Sequence, residues 1–258
     1  MRRNQSGELV YYQFDQWSGL KHGMFTRKGG VSAAPWSSLN LGGSVGDTPE
    51  AVRDNHELIY ESLHLPSDKV CSVWQVHSAV VIVATGPVPG QHWITQADGM
   101  ITNCLDTPLI MRFADCTPLL FHDPVQRVIG IAHAGWRGTV AGVGANTVRE
   151  MVQTYGCKPH NIQAGIGPSI SRERYQVGEV VVEAVQAYFG TTDGLIERDA
   201  TDGTAYFDLW AANRLDLERV GVGQIEIMGL CTAQHTDEFY SHRAENGRTG
   251  RFGAVLSL

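Results

Sequence analysis

Three apolar segments of this chain end in a side chain that binds soft or borderline metals. In VWQVHS it is His77, in FADCTP it is Cys116, and in AHAGWRG it is His133. One thiolate and two imidazoles make a donor set that Zn²⁺ accepts, and three protein ligands leave a fourth tetrahedral position for water or substrate. An open position marks a catalytic zinc rather than a structural one. The gaps between the three residues are too long for a local knuckle, so the fold has to bring them together. Taken singly, each has a plainer reading. A histidine after a strand is most often a hydrogen-bonded loop residue, and a lone cysteine is usually a small core hydrophobe. His122, close after Cys116, is the residue that would close the shell as a fourth ligand and make the site structural.

Cys116 carries a second reading. With Asp115 beside it and His133 further on, it could be a thiolate nucleophile activated by imidazole, as in a cysteine-dependent amide hydrolase. The two uses compete, because a zinc-bound thiolate is a poor free nucleophile. A copper-dependent phenol oxidase fits less well. Multicopper centres need many histidines, typically in HxH pairs, and the ten histidines here never occur that way. A non-catalytic metal-binding module would need a fourth protein ligand.

Cationic residues form another set. FTRKGG supplies Arg27 and Lys28, GWRG supplies Arg137, and YSHRAENGRTGR supplies Arg243, Arg248 and Arg251. Guanidinium forks suit phosphate or carboxylate, and a helix expected to begin near Thr139 would add its N-terminal amides. Asn40, in SLNLG, falls in a turn where self-capping is common. Asp47 is expected at a helix cap. GIGPSIS could wrap a ligand with its backbone, although Gly-Pro pairs usually only turn the chain.

The elements that must position these residues can be read from periodicity. Thr48 is a plausible N-cap with Pro49 at the first helical position, and Ala51, Leu58, Ile59 and Leu63 fall near one face. AVVIVATG is a strand by β-branching. TPLIMRFADCTPLLFHDP reads as two apolar segments broken between Ala114 and Pro118. RVIGIAH is a near-continuous apolar run, the mark of burial on both faces. TVAGVGANTVREMVQTYG returns to helical spacing and ends at Gly156, a C-cap residue. NIQAGIGPS, QIEIMGLCT and RFGAVLSL look like strands. GEVVVEAVQAYFG and DLWAANRLDLERVG look like helices closed by Gly. Several strands follow one another without room for a crossover helix, which predicts mixed sheets with helices outside, an α+β layered fold. Neither GxGxxG after the first strand nor GxxxxGK[ST] is present.

The bulk numbers fit an ordinary globular chain. Its 258 residues are 43% hydrophobic and 18% charged, with a formal net charge of −7. That charge argues against a nucleic-acid footprint or docking on anionic membranes. No apolar run approaches a membrane span. The start, MRRNQSGELVYYQFDQW, lacks the apolar stretch of a secretory signal. Five widely spread cysteines (Cys71, Cys104, Cys116, Cys157, Cys231) without CxxC pairing read as reduced thiols. Cytoplasmic location is expected. No repeat, linker or composition break separates two domains, so 1–258 is expected to be a single domain.

TRKGGVS, SLNLG, GDTPE, WQVHS, ADCTPLL, HAGWRGT, GIGPSIS, YQVGEVV and the closing CT…FYSHR…GRTGR occur here in one order. In this the chain resembles the YfiH/YlmD family, which includes the human laccase domain-containing protein, FAMIN. The resemblance runs from about residue 22 to the end. It implies zinc-dependent purine nucleoside phosphorylases that also deaminate adenosine and cleave methylthioadenosine, formerly labelled multicopper polyphenol oxidases. It also implies that His77, Cys116 and His133 are the zinc ligands, within a four-layer α/β/β/α sandwich related to a toxin cysteine-hydrolase domain. The sequence departs from the family pattern at His242, where an aromatic is usual, and at Ala244, where a second arginine is usual.

Phosphorolysis requires phosphate to attack C1′ of the ribose while the purine leaves. Arg27, Asn40, Arg137 and Arg243 are the expected substrate and phosphate contacts, and Cys116, Asp115 and Arg137 the expected catalytic residues. Asp115, His122 or a zinc-bound water are candidate proton or hydrogen-bond donors to the base. The expected substrates are adenosine, inosine, guanosine and methylthioadenosine with phosphate, acted on by a monomer or homodimer. The usual zinc deaminase signature, a Glu next to a ligand His with PCxxC, is absent, so deamination would need another proton shuttle.

Overall fold

The computed structural model describes residues 1–17, 19–88 and 93–258. Two sheets face one another. The first is antiparallel throughout, in the spatial order β1 (Arg2–Ser6), β2 (Leu9–Gln13), β3 (Lys21–Phe25), β14 (Phe252–Ser257) and β6 (Leu109–Phe113). The second is mixed, in the order β13 (Gln224–Ile227), β9 (Gln163–Ile166), β7 (Thr117–Asp123), β8 (Val128–Ala134), β5 (Gly99–Thr102) and β4 (Val81–Val83). Its outer pairs, β13 with β9 and β4 with β5, are parallel, and the others are antiparallel. Short strands β10 (Gln176–Val177), β12 (Ala205–Phe207) and β11 (Ile196–Arg198) form a third sheet.

Strand β8 explains the layering. All seven of its residues are buried, and successive side chains point to opposite faces. Ile129 and Ile131 join Met100 and Leu120 to meet Met24, Met111, Phe113 and Phe252 of the other sheet. Val128, Ala132 and Ala134 face outward, under Val148 and Met151 of α3 (Val143–Tyr155) and Leu217 of α5 (Leu209–Arg219). The five-stranded sheet buries its outer face with Ile110 and Val255 against Ile59 and Tyr60 of α1 (Pro49–Ser62). Helix, sheet, sheet and helix therefore stack as four layers, and each fully buried Leu, Ile or Phe contributes about 1.5–3 kcal/mol. A further cluster packs α4 (Glu179–Phe189) through Val181 and Val185 against Phe207 and Leu209. Among the described residues no helix is long and apolar enough to cross a membrane.

Local signals set the helix ends. The Thr48 hydroxyl accepts from the Ala51 N–H with Pro49 following, and Gly156 closes α3 in the left-handed region at φ 70°. The expected single helix up to Gly156 is instead two. The five-residue α2 (Trp136–Val140) starts three residues before Thr139, and the chain breaks at Gly142 (φ 73°) before α3. A Cβ at Gly142 would lie 2.3 Å from the Tyr188 hydroxyl, so glycine both permits the turn and makes room for α4. The β1–β2 hairpin falls in the N-terminal stretch, where periodicity gave no strand.

Candidate metal centre

Register brings the first two ligands together. In the β7–β8 pair, Pro118 lies opposite His133 and Thr117 opposite Ala134, so Cys116, just before β7, comes level with the end of β8. His77 arrives on a separate loop in the left-handed region (φ 61°). The ligand atoms of His77, Cys116 and His133 all lie within 4.8 Å of one another. Among the described residues this is the one group of three or more His, Cys, Asp or Glu side chains so placed. The His77 and His133 rings stand 4.9 Å apart at 71°.

Asp98 arranges both imidazoles. Fully buried, its carboxylate gathers the 76–78 loop: Oδ1 accepts from the His77 N–H at 3.0 Å, and Oδ2 from the Val76 and Ser78 N–H groups at 3.1 and 2.6 Å. Oδ1 also faces His133 Nδ1 at 2.9 Å. Nδ1 therefore carries a proton toward Asp98, which leaves Nε2 as the nitrogen turned to the ligand group. Burial alone would push the Asp98 carboxyl up, but the bonds from His133 and Ser78 outweigh it and hold the group low. Burial likewise pushes the Cys116 thiol up, and the adjoining His133 and His77 reverse this, bringing it down to about 6. The His133 imidazole, which burial would lower, is held up at about 9 by Cys116 and Asp98.

These residues fit a metal. A tetrahedral ion with ligands at 2.0–2.3 Å needs donor atoms roughly 3.3–3.7 Å apart, and the three candidate donors all lie within 4.8 Å of one another. Thiolate, imidazole and an imidazole backed by carboxylate is a zinc-type donor set. Gly135 lets the strand end approach closely. A Cβ there would lie 2.7 Å from Cys116 Sγ and 3.3 Å from His77 Cδ2.

His77 and Cys116 line a cavity of about 250 Å³. Its other walls are aromatic, cationic and apolar. Arg137 is exposed and lies 4.5 Å over the Trp136 ring, and Arg243 lies 5.2 Å over the Tyr175 ring. Ile170, from GIGPSIS, and Leu209 add apolar wall. Asp115 sits in the left-handed region (φ 79°), and both its oxygens are engaged, by the Thr232 hydroxyl and the Arg243 N–H, each at 2.6 Å.

Two expected phosphate contacts lie elsewhere. Arg27 does not line this cavity. Its guanidinium donates to Ser37 O, Thr236 O and Glu245, at 2.9–3.0 Å, and so ties three loops together. Asn40 is fully buried, accepting from the Gly42 and Arg251 N–H groups and donating to Asp47. These are the bonds of a self-capped turn. Asp47 links that loop to the α1 cap by accepting from the Thr48 N–H and the Ser32 hydroxyl. Lys28 pairs with Glu238, Arg251 donates to Thr249 O and Gly250 O, and Arg248 is exposed. His122 is not part of the His77–Cys116–His133 group and does not line the cavity. Six residues beyond Cys116 along a strand, it lies roughly 20 Å away, packed edge-on to Trp17.

Sequence reasoning missed Asp98, Gly135 and Tyr175. Asp98 left one signal, a carboxylate immediately before the apolar strand GMIT, where a charge has to be paired.

Residues 21–258 match the family described as multi-copper polyphenol oxidoreductase laccase. A purine nucleoside phosphorylase of Deinococcus radiodurans is 39% identical over 93% of this chain and 89% of its own. Purine nucleoside phosphorylase YfiH of Escherichia coli is 34% identical over 97% and 99%.

The chain belongs to the YfiH/YlmD family.

The crystal structure of YlmD from Geobacillus stearothermophilus superposes with a TM-score of 0.92 at 31% identity, covering 99% of this chain and 98% of that one. The layered α+β architecture is thus that of the YfiH/YlmD proteins, and the relatives' names place the chain among enzymes.

Proposed function

We propose that this chain is a zinc-dependent purine nucleoside phosphorylase acting on adenosine, inosine, guanosine and methylthioadenosine, with adenosine deamination as a side activity. The observation that carries the reading is the meeting of the His77–Cys116–His133 group with two arginines on aromatic platforms in one cavity. Zinc is preferred to copper because a multicopper centre needs more ligand groups than the one found among the described residues.

When bound by His77, Cys116 and His133, zinc would supply a Lewis acid. The chain's own residues do the rest. Arg137 and Arg243 bind the phosphate dianion, and their stacking on Trp136 and Tyr175 keeps each fork from folding away. Trp136, Tyr175, Ile170 and Leu209 receive the flat purine and exclude water. Asp98 holds the proton on His133 Nδ1, and Asp115 acts by holding the Arg243 backbone. The proposal extends to a single domain over 1–258, acting in the cytoplasm as a monomer or homodimer.

The test is phosphate-dependent release of free base, with metal quantified, on wild type and Cys116→Ala. Base release that needs phosphate, tracks about one zinc per chain and disappears in the variant supports the reading. Stoichiometric zinc without turnover of any purine nucleoside sinks it.

A second reading has an observation of its own. Cys116, His133 and Asp98 are ordered as nucleophile, base and orienting carboxylate, with a low thiol beside a high imidazole. A cysteine-dependent amide hydrolase would use that trio. Activity that survives complete metal removal by a chelator would favour it.

A further inference from the structure

The segment between Tyr240 and Phe252, SHRAENGRTGR, carries Ala244 as its one apolar side chain. Of residues 242–248, Glu245 alone is not exposed. With almost no apolar surface to bury, such a loop is fixed by hydrogen bonds or not at all. It nevertheless brings Arg243 to the cavity wall, over the Tyr175 ring, with Nη1 donating to Gln176 O at 3.0 Å.

Two carboxylates do the fixing. Asp115 accepts from the Arg243 N–H at 2.6 Å. Glu245 Oε2 accepts from the Ser241 N–H at 2.9 Å and from the Thr249 hydroxyl, so one oxygen closes the loop at both ends. Its Oε1 accepts from Arg27 Nη1 at 3.0 Å. Arg27 stands two residues beyond β3 and is itself held from several sides. Its N–H donates to Glu238 O at 2.7 Å, and its carbonyl accepts from the Ser38 and Leu39 N–H groups. Its guanidinium lies 4.4 Å over the ring of the buried Tyr240. The paired side chains of Arg27 and Glu245 are 15% and 22% exposed, which spares them much of the solvent screening.

We infer that Arg27 is a positioning residue for phosphate: through Glu245 it keeps the 241–249 loop in the shape that presents Arg243 to the cavity. The assignment rests on the phosphorylase reading above. Arg27 does not line the cavity, and its guanidinium is committed to Glu245 and to the Ser37 and Thr236 carbonyls. Without it Glu245 would still close the loop on itself, but the closed loop would lose its tie to the end of the five-stranded sheet. Arg243 would then sit on a looser backbone, and its guanidinium would have to be ordered each time phosphate binds. That ordering opposes the binding of phosphate and leaves the contacts of the purine untouched.

The test measures phosphorolysis with inorganic phosphate varied at saturating nucleoside, then with the nucleoside varied at saturating phosphate. Arg27→Ala should raise KM for phosphate about tenfold and leave KM for the nucleoside and the metal content within about twofold. Glu245→Gln separates positioning from plain charge attraction, and it stands alone if Arg27→Ala fails to fold. Deleting a negative charge would by attraction alone tighten phosphate binding, whereas a lost anchor weakens it. KM for phosphate should therefore rise in Glu245→Gln as well, again about tenfold. Arg27→Lys, which keeps a cation opposite Glu245, should recover part of the affinity. In an Arg243→Ala background both substitutions should lose their effect, because the residue they act through is gone. An unchanged or lower phosphate KM in Glu245→Gln, equal rises for both substrates, or losses that add in full to that of Arg243→Ala would overturn the assignment. Wild type that phosphorolyses no purine nucleoside would overturn the phosphorylase reading itself, a separate result seen before any variant is made.

Discussion

The two ends of the central sandwich each hold histidines, and they treat them oppositely. His133, 4% exposed, gives Nδ1 to a carboxylate and turns Nε2 to a thiolate, and its pKa rises to about 9. His22, with no exposed surface, sits at the other end against Trp17, which also contacts His122. Its Nε2 accepts from the Phe14 N–H at 2.8 Å and its Nδ1 faces Leu20 O at 2.9 Å, so both nitrogens are satisfied in the neutral form. Burial then drives it down to about 4. Burial is the same at both ends. What differs is whether the ring faces charges or backbone dipoles, and that separates a ligand from a core residue.

The largest break in this contrast should come from Cys116→Ala. Removing the thiolate takes away a ligand and the charge that holds His133 up. Metal affinity and base release should each fall by more than about 10³-fold, read by metal analysis and phosphorolysis rate. A variant that keeps stoichiometric metal would contradict the ligand assignment.

The opposite end should show itself in stability. His22 titrates normally at 6.5 when unfolded and at about 4 when folded. Above pH 6.5 neither state holds the proton, so His22 costs nothing. As pH falls from 6.5 to 4 the unfolded chain takes the proton and the folded one does not, removing on the order of 3 kcal/mol. Urea midpoints measured over that window should drop more steeply for wild type than for His22→Gln. Matching slopes would show that the buried ring is not the cause.

Asp98→Asn sharpens the comparison by keeping the shape and deleting the charge that orients His133. Metal binding should weaken by about 10–100-fold in chelator competition. An unchanged affinity would mean that the loop geometry alone positions the imidazoles. The smallest effect belongs to His122→Gln, which should leave metal content and base release within about twofold, because the residue is roughly 20 Å along β7 from Cys116. A loss of metal there would restore it as a ligand.

Much of the framework was legible along the chain. Near-continuous apolar runs marked the buried strands, and Thr48, Pro49 and Gly156 marked helix ends, because these signals act over one to four residues. Cys116 and His133 were legible as soft donors at strand ends and Arg137 and Arg243 as cations near them, whereas His77, expected at a strand exit, stands on a loop. The break at Gly142 was not, since helical spacing continues through it and only the packing of Tyr188 shows why the chain turns.

What the sequence determined by itself was therefore which residues stand at the ends of which elements. Only the tertiary structure decided what each one faces. Arg27 reads the same as Arg137 in sequence, yet Glu245, more than two hundred residues away, occupies the first, while the second faces the cavity. Asp98 became the organiser of the centre because β5 pairs with β8, which places it beside His133. Such pairings form when distant strands find their register, and local propensity carries no record of that.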